Sequence, residues 1–183
     1  KRVLLVMSGG VDSSVSALLL KEMGYEVIGI TLELFAGSCC NIDTNTDAKN
    51  VCKTIGIPHI TYNLKEQFKC RVIDNFIDEY SKQRTPNPCI ECNRYMKFGL
   101  MYEKAKELNC DYIATGHYAK MEYSEKYGRY VLKKSKNLAK DQSYVLYNLP
   151  RELLGKVDDI YNSGSADISI RRFQLKRRNT WDS

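Results

Sequence analysis

The stretch Met7-Ser8-Gly9-Gly10-Val11-Asp12-Ser13-Ser14 constrains this chain more than any other. It follows Val3-Leu4-Leu5-Val6, a short continuous apolar run of the kind that forms a fully buried strand. It precedes residues 15–20, whose apolar positions suit a helix closed by Gly24. The order is strand, glycine-rich turn, helix. Adjacent glycines let the backbone approach a ligand in conformations closed to other residues, and the first amides of a helix present unpaired donors at the positive end of its dipole. Such a turn binds phosphate. Ser8, Ser13 and Ser14 add hydroxyl donors. Asp12 adds a carboxylate that repels phosphate unless it caps the helix or holds a Mg²⁺ between itself and the phosphates, so a metal-bridged nucleotide is the reading favoured.

The same glycines could serve an ordinary tight turn, but position and composition agree over all eight residues. The stretch lacks the Gly-Lys-Ser/Thr ending of the common nucleoside-triphosphate loop and the third glycine of the dinucleotide fingerprint. It resembles instead the PP-loop of the ATP pyrophosphatases. That resemblance implies a site cradling the pyrophosphate released when AMP passes to a substrate oxygen.

With 183 residues, 43% hydrophobic and 27% charged, the chain can bury one sizeable core, and a single α/β domain is expected. No apolar stretch approaches the length that spans a bilayer, and residues 1–10 read as a core strand rather than a cleavable signal; a cytoplasmic location is expected. Seven cysteines, an odd number, argue against a secreted disulfide framework. Cys52 and Cys110 fall within helical and strand patterns and read as small buried hydrophobes, whereas Cys39 and Cys40 read as thiols of a long polar loop over 35–46. The net charge of +6 is modest, but Arg171, Arg172, Lys176, Arg177 and Arg178 concentrate near the end. That bias permits nucleic acid as a partner without establishing it.

Further along, a β-rich run covers 26–34, a short helix 47–56 with Ala48, Val51 and Ile55 on one face, and a third strand 59–64. An amphipathic helix over 65–82 stops before Arg84-Thr85-Pro86-Asn87-Pro88, where two prolines force an extended loop. After Asn93, read as a cap, residues 95–108 are helical again, and 111–115 give a fourth strand running into Gly116-His117. Strands alternating with helices predict a doubly wound parallel sheet, with the ligand beyond the carboxyl ends of the strands where strand order reverses. Residues 8–14 and Gly116-His117 both occupy such ends. Residues 118–134, with Gly128 between two β-rich runs, read as an appended β-hairpin, 141–149 as a short helix, and Ser163-Gly164-Ser165-Ala166 as linker-like.

A second constellation, Thr85-Pro86-Asn87-Pro88-Cys89-Ile90-Glu91-Cys92-Asn93, sets two cysteines three apart at the mouth of a helix, where the dipole favours thiolate. The spacing also suits half a zinc site, part of an iron–sulfur cluster or a redox pair, although no second Cys-x-x-Cys or His-x-x-x-His appears to complete a zinc site.

With these residues in view, the chain resembles the tRNA-specific 2-thiouridylases, which make 2-thiouridine at the wobble position. The match rests on Ser8-Gly9-Gly10-Val11-Asp12-Ser13, on Arg84-Thr85-Pro86-Asn87-Pro88 through Cys92-Asn93 and Lys97-Phe98, on Ala114-Thr115-Gly116-His117-Tyr118, and on Lys140-Asp141-Gln142-Ser143-Tyr144. It covers about residues 1–155, the family's N-terminal catalytic domain, and implies a PP-loop fold of the adenine nucleotide alpha-hydrolase kind. Residues 156–183 match neither the family's middle region, with its second essential cysteine, nor its C-terminal β-barrel, and stand as an unmatched basic tail or the start of a further region.

The resemblance implies roles position by position. Val6, Met7, Ser8, Gly9, Gly10, Val11, Asp12 and Ser13 would hold ATP with Mg²⁺, Leu32 would touch the adenine, and Gly116 would line the nucleotide. Cys92 would be the catalytic nucleophile. Asn87, Pro88 and Cys89 would contact the target base, and Lys140, Asp141 and Gln142 the tRNA. Cys89 stands where some relatives carry Asp, and with Cys92 it resembles members proposed to hold a [4Fe–4S] cluster. The implied partners are tRNA and a sulfur-carrier protein or cysteine desulfurase that delivers a persulfide. Two competing readings are a nucleotide-binding fragment without autonomous activity and a different PP-loop enzyme acting on a small acid or amide; residues 84–93 argue against the latter.

Overall fold

The structure, a computed structural model, describes residues 1–34, 42–149, 159–163 and 166–172, with the backbone alone for 42–44 and the two C-terminal segments. Strand β1 (Arg2–Val6) leads into helix α1 (Val11–Glu22), followed by β2 (Glu26–Glu33), α2 (Ile42–Ile55) and β3 (His59–Asn63). Helix α3 runs continuously through Lys65–Phe68, a π-helical turn Lys69–Ile73 and Asp74–Ser81. Helix α4 likewise joins Pro88–Glu91, a π-helical stretch Cys92–Leu100 and Met101–Glu107. Then come β4 (Tyr112–Thr115), the antiparallel hairpin β5 (Ala119–Ser124) and β6 (Arg129–Lys134), and the strands β7 (Asp159–Ser163) and β8 (Ala166–Arg172).

The main sheet has the order β3-β2-β1-β4-β8-β7. The first four strands are mutually parallel, and β8 pairs antiparallel to β4. Side chains alternate across β1 with the two-residue period of a strand. Val3, Leu5 and Met7 pack with Ala17 and Leu20 of α1 and Ala48 and Cys52 of α2. Leu4 packs on the other face with Ile30, Met96, Met101 and Ala105. Helices therefore cover both faces, which is why β1 reads as an unbroken apolar run rather than an alternating one. At Gly29 of β2 an added Cβ would come within 2.7 Å of Cys52 Sγ, so α2 packs against a strand position with no room for a side chain.

The chain winds from β1 through β2 to β3 on one side and then crosses to place β4 on the other side of β1. Strand order reverses between β1 and β4, and the loops leaving their carboxyl ends face a common crevice. The hairpin lies where 118–134 predicts it, with Gly128 at φ +59° in its turn. Helix α1 ends before Gly24, whose φ of +81° is open to glycine and strained for other residues.

Four expectations are corrected. Helix α2 begins at Ile42, five residues before the apolar periodicity starts. Helix α4 begins at Pro88: the cap is Asn87, whose side chain accepts from the Cys89 N–H at 3.0 Å, and Pro88 takes the first helical position, where its missing N–H costs nothing. Asn93 instead lies buried inside that helix. Residues 141–149 form no α-helix; a 3₁₀ turn, Ser143–Val145, stands there, preceded by another, Leu138–Lys140. The stretch read as linker-like is flanked by paired strands, Ser163 opposite Ala166, which extend the main sheet. Cys39, Cys40 and residues 173–183 lie outside the described residues. Among the described residues no helix is long and apolar enough to cross a membrane.

Candidate functional site

The glycine-rich loop closes on itself through its own hydroxyls. Ser13 Oγ donates to the Gly10 carbonyl at 3.0 Å and accepts from the Ser8 N–H at 3.3 Å, while Ser14 Oγ donates to the same carbonyl at 2.9 Å. Gly9 turns the chain at φ +76°, and Gly10 is the helix cap with no side chain of its own to satisfy the first amides. The first intrahelical bond runs from Ser14 N to Gly10 O at 3.2 Å. The N–H groups of Val11, Asp12 and Ser13 precede that bond and are by geometry the donors a helix offers an anion.

Asp12 is not the cap. It sits in the first turn of α1, and its Oδ1 accepts a hydrogen bond from the Tyr118 hydroxyl at 2.9 Å. Of the two ways such a carboxylate can sit beside phosphate, the capping role is therefore removed.

A pocket opens where this loop meets the end of β4, lined by Val6, Ser8, Asp12, Ser13, Lys97, Thr115, Gly116, His117 and Gln142. Gly116 brings the backbone end of β4 against the first turn of α1: a Cβ there would make ordinary contacts of 3.8 Å with Asp12 Cβ and 3.9 Å with the Ser13 nitrogen. His117 Nδ1 and Thr115 Oγ1 are 2.9 Å apart and both buried. Lys97 arrives from α4, so three segments distant in sequence bring hydroxyls, one carboxylate, one ammonium and one imidazole to one crevice. Such a constellation suits a polyphosphate: helix amides and an ammonium meet negative charge, and a carboxylate accommodates a bridging cation.

The nucleotide positions expected from sequence divide. Val6, Ser8, Asp12, Ser13 and Gly116 line the pocket, and Gly9 and Gly10 shape its loop. Met7 points its side chain into the core; its carbonyl accepts from Thr31 Oγ1 at 3.0 Å. Val11 is exposed, and Leu32 is buried in the core layer with Leu4 and Ile30, outside the pocket lining. Lys97 and Thr115 belong to motifs that carry the resemblance and His117 to a strand end facing the expected ligand, but the resemblance implies no role for these three side chains. For Lys97 the signal available in sequence was its spacing five residues after Cys92 on the same helix.

Of the positions expected to contact tRNA, Gln142 lines the pocket and Lys140 Nζ lies 5.2 Å from the centroid of the Tyr118 ring. The Asp141 carboxylate is turned to its own loop, accepting from the Ser135 N–H at 2.6 Å and the Ser143 hydroxyl at 2.7 Å. Burial pushes its pKa up, but those hydrogen bonds and the Lys134 charge outweigh burial and hold it below the usual carboxylate value. Cys89 is exposed in the first turn of α4, and Cys92 is half-buried one turn later against the core layer of Leu4. The dipole argument made for Cys92 from an Asn93 cap thus applies more directly to Cys89, and the assignment of Cys92 as nucleophile stands on the family correspondence. Among the described residues no three His, Cys, Asp or Glu side chains gather as metal ligands.

A parallel sheet whose switch-point crevice is built from a Ser-Gly-Gly loop and a helix amino terminus defines a nucleotide-binding domain of the PP-loop class. The family model described as the tRNA methyl transferase HUP domain matches residues 1–161, and the chain belongs to that family. It is 53% identical over 162 residues to the tRNA-specific 2-thiouridylase MnmA of Clostridioides difficile (strain 630), a match covering 84% of this chain and 45% of that protein. It is 54% identical over 166 residues to the protein of the same name from Caldicellulosiruptor saccharolyticus, covering 85% and 46%. Against tRNA-specific 2-thiouridylase MnmA 1 of Thermoanaerobacter pseudethanolicus it is 51% identical over 163 residues, covering 84% and 45%. The chain spans about half the length of the curated relatives it matches.

Proposed function

We propose that this chain is the nucleotide-binding and activating part of an enzyme that converts the wobble uridine of tRNA to 2-thiouridine at the expense of ATP. The observation that carries the reading is the convergence of the glycine-rich loop, Asp12 and Lys97 in the switch-point pocket, with Lys97 on the same helix α4 whose first two turns carry Cys89 and Cys92.

The C2 oxygen of uracil is a poor leaving group, so sulfur cannot displace it directly at a useful rate. Attack of that oxygen on the α-phosphorus of ATP forms an adenylated base and expels pyrophosphate. The amides of Val11, Asp12 and Ser13 and the Lys97 ammonium receive the developing charge. The donor set fits Mg²⁺, which keeps waters and phosphate oxygens and asks a protein for one or two carboxylates; Asp12 would hold it, and it would neutralise charge on the departing pyrophosphate. The outer sulfur of a persulfide on Cys92 then attacks C2 and AMP leaves, giving a base–Cys92 disulfide. A second thiol, the part the resemblance gives to the family's second essential cysteine, attacks Cys92 Sγ, forms a disulfide with it and releases 2-thiouridine. The wobble base must be extruded to reach the crevice, which a single-stranded loop permits at low cost. Asn87, Pro88 and Cys89 stand at the start of α4 as its receiving edge, and Lys140 supplies charge for the RNA backbone. In this reading a sulfur carrier or cysteine desulfurase supplies the persulfide, and the work belongs in the cytoplasm.

A [4Fe–4S] cluster fits less well. Cys89 and Cys92 are two of the thiolates such a cluster needs, the described residues add no third ligand beside them, and no step is routed through one.

The test is 2-thiouridine measured by mass spectrometry in tRNA incubated with the protein, ATP, Mg²⁺ and a persulfide donor. Cys92→Ser should abolish the product while leaving Mg²⁺-ATP affinity intact, because the phosphates bind on a different loop. Product formed by Cys92→Ser at the wild-type level would overturn the nucleophile.

A further inference from the structure

Two parts of the site are tied together by one side chain. The Tyr118 hydroxyl donates to Asp12 Oδ1 at 2.9 Å. The backbone of the same residue is clasped by Gln142: the Tyr118 N–H donates to Gln142 Oε1 at 3.0 Å, and the Gln142 N–H donates to the Tyr118 carbonyl at 2.8 Å. Lys140 Nζ stands 5.2 Å from the ring centroid, within cation–π range. The segment that makes these contacts is pinned by the Asp141 bonds to Ser135 and Ser143. A residue of the nucleotide loop is therefore connected, through one phenol and one peptide unit, to the segment 140–142.

A half-buried carboxylate in the first turn of a helix has several rotamers, and a charge-assisted bond to a half-buried phenol selects one of them. We propose that Tyr118 is a positioning residue that holds the Asp12 carboxylate for Mg²⁺-ATP and is itself held by the RNA-facing segment 140–142, so that tRNA and Mg²⁺-ATP strengthen each other's binding through it. The identity of the two ligands rests on the functional reading above. The coupling is reciprocal by thermodynamic necessity: whatever factor tRNA adds to nucleotide affinity, nucleotide adds to tRNA affinity.

The experiment is calorimetric titration with Mg²⁺-ATP, alone and with a saturating unmodified tRNA transcript, on the wild-type protein and on Tyr118→Phe. This substitution keeps the ring and both backbone bonds to Gln142 and removes only the donor to Asp12. In the wild type, tRNA should tighten Mg²⁺-ATP by about fivefold or more. Tyr118→Phe should bind Mg²⁺-ATP roughly tenfold more weakly, as expected for one lost bond to a charged group. It should also need more Mg²⁺ for half-saturation and lose the tightening by tRNA, with affinity for tRNA alone unchanged. A purely structural role for Tyr118 would lower thermal stability without moving the Mg²⁺ midpoint. Tyr118→Phe with the wild-type Mg²⁺ midpoint and the wild-type tRNA effect would overturn the proposal. If tRNA binds the wild type without changing Mg²⁺-ATP affinity, the coupling is wrong and the functional reading stands; if filter retention shows no tRNA binding at all, both are wrong.

Discussion

Lys97 and Asp12 bring opposite charges into one pocket from elements more than eighty residues apart in sequence, a pairing that suits a polyphosphate with its cation, the ligand proposed above. Replacing Lys97 by Met keeps the length of the side chain and removes the ammonium, so Mg²⁺-ATP should bind roughly tenfold more weakly, as for loss of one charge-assisted contact. Unaltered affinity by calorimetry would show that Lys97 does not meet the phosphates. The cysteines divide by environment in the same way. Burial pushes the Cys110 thiol up to about 11 and raises that of Cys52, whereas Cys70 and Cys89 are exposed. Iodoacetamide at pH 8 should modify Cys70 and Cys89 in the folded protein and spare Cys52 and Cys110, read by peptide mass spectrometry. For Cys110 the folded value lies above the unfolded value of 9.0, so its contribution to stability is complete below about pH 9 and is lost as pH rises towards about 11. Residues of the loop and Gly116 were legible because the motif is contiguous and its chemistry follows from backbone geometry. The strand end at Gly116-His117 was legible too, but Lys97 was not, because a lysine on an amphipathic helix reads as a solvated one until the fold brings that helix to the crevice.

At the scale of elements, strands β1 to β4 and the hairpin fall where apolar runs and Gly128 predict them. Helix starts were the weak point. Asn87 and Asn93 are both cap-type residues six apart, and the decisive signal was Pro88, which is favoured at the first helical position and excluded from a helix interior. Moving the start back to Pro88 places Cys89 in the first turn and Cys92 in the second, which changes the electrostatic ranking of the two thiols. The Asn87 cap can be measured: Asn87→Ala removes the bond to the Cys89 N–H and should cost about 1 kcal/mol of stability in urea denaturation. Asn93→Ala is a different experiment, because Asn93 is buried and its Nδ2 donates to the Val145 carbonyl at 3.4 Å. Equal stability of Asn87→Ala and wild type would argue against the cap. Residues 141–149 were misread as a helix because Val145, Leu146 and Leu149 have helical spacing; they pack with Phe98 and Ala119 from 3₁₀ turns instead.

For the whole molecule, the doubly wound plan and the location of the crevice follow from the alternation of strands and helices, and the family match carries the sequence to residue 161. The antiparallel addition of β8 and β7 did not follow, since a serine- and glycine-rich stretch beside a basic run has the composition of a linker. Its pairing also places the first two residues of the basic run. In register, Arg171 lies opposite Ile113 and Arg172 opposite Tyr112, while Ser169 lies opposite Thr115 at the crevice end. These two arginines thus stand towards the end of β4 away from the pocket, whereas Lys97 lines it and Lys140 lies over the ring of Tyr118.

All of these features converge on one chemical claim: the switch-point pocket splits ATP between the α- and β-phosphates when a wobble uridine accepts AMP. The direct measurement is the product spectrum from α-labelled ATP incubated with the protein and Mg²⁺, with and without tRNA bearing an unmodified wobble uridine. AMP and pyrophosphate formed only in the presence of that tRNA, and lost in Asp12→Ala, is the result expected. ADP and inorganic phosphate as the products, or AMP formed at the same rate whether or not that uridine is present, would contradict it.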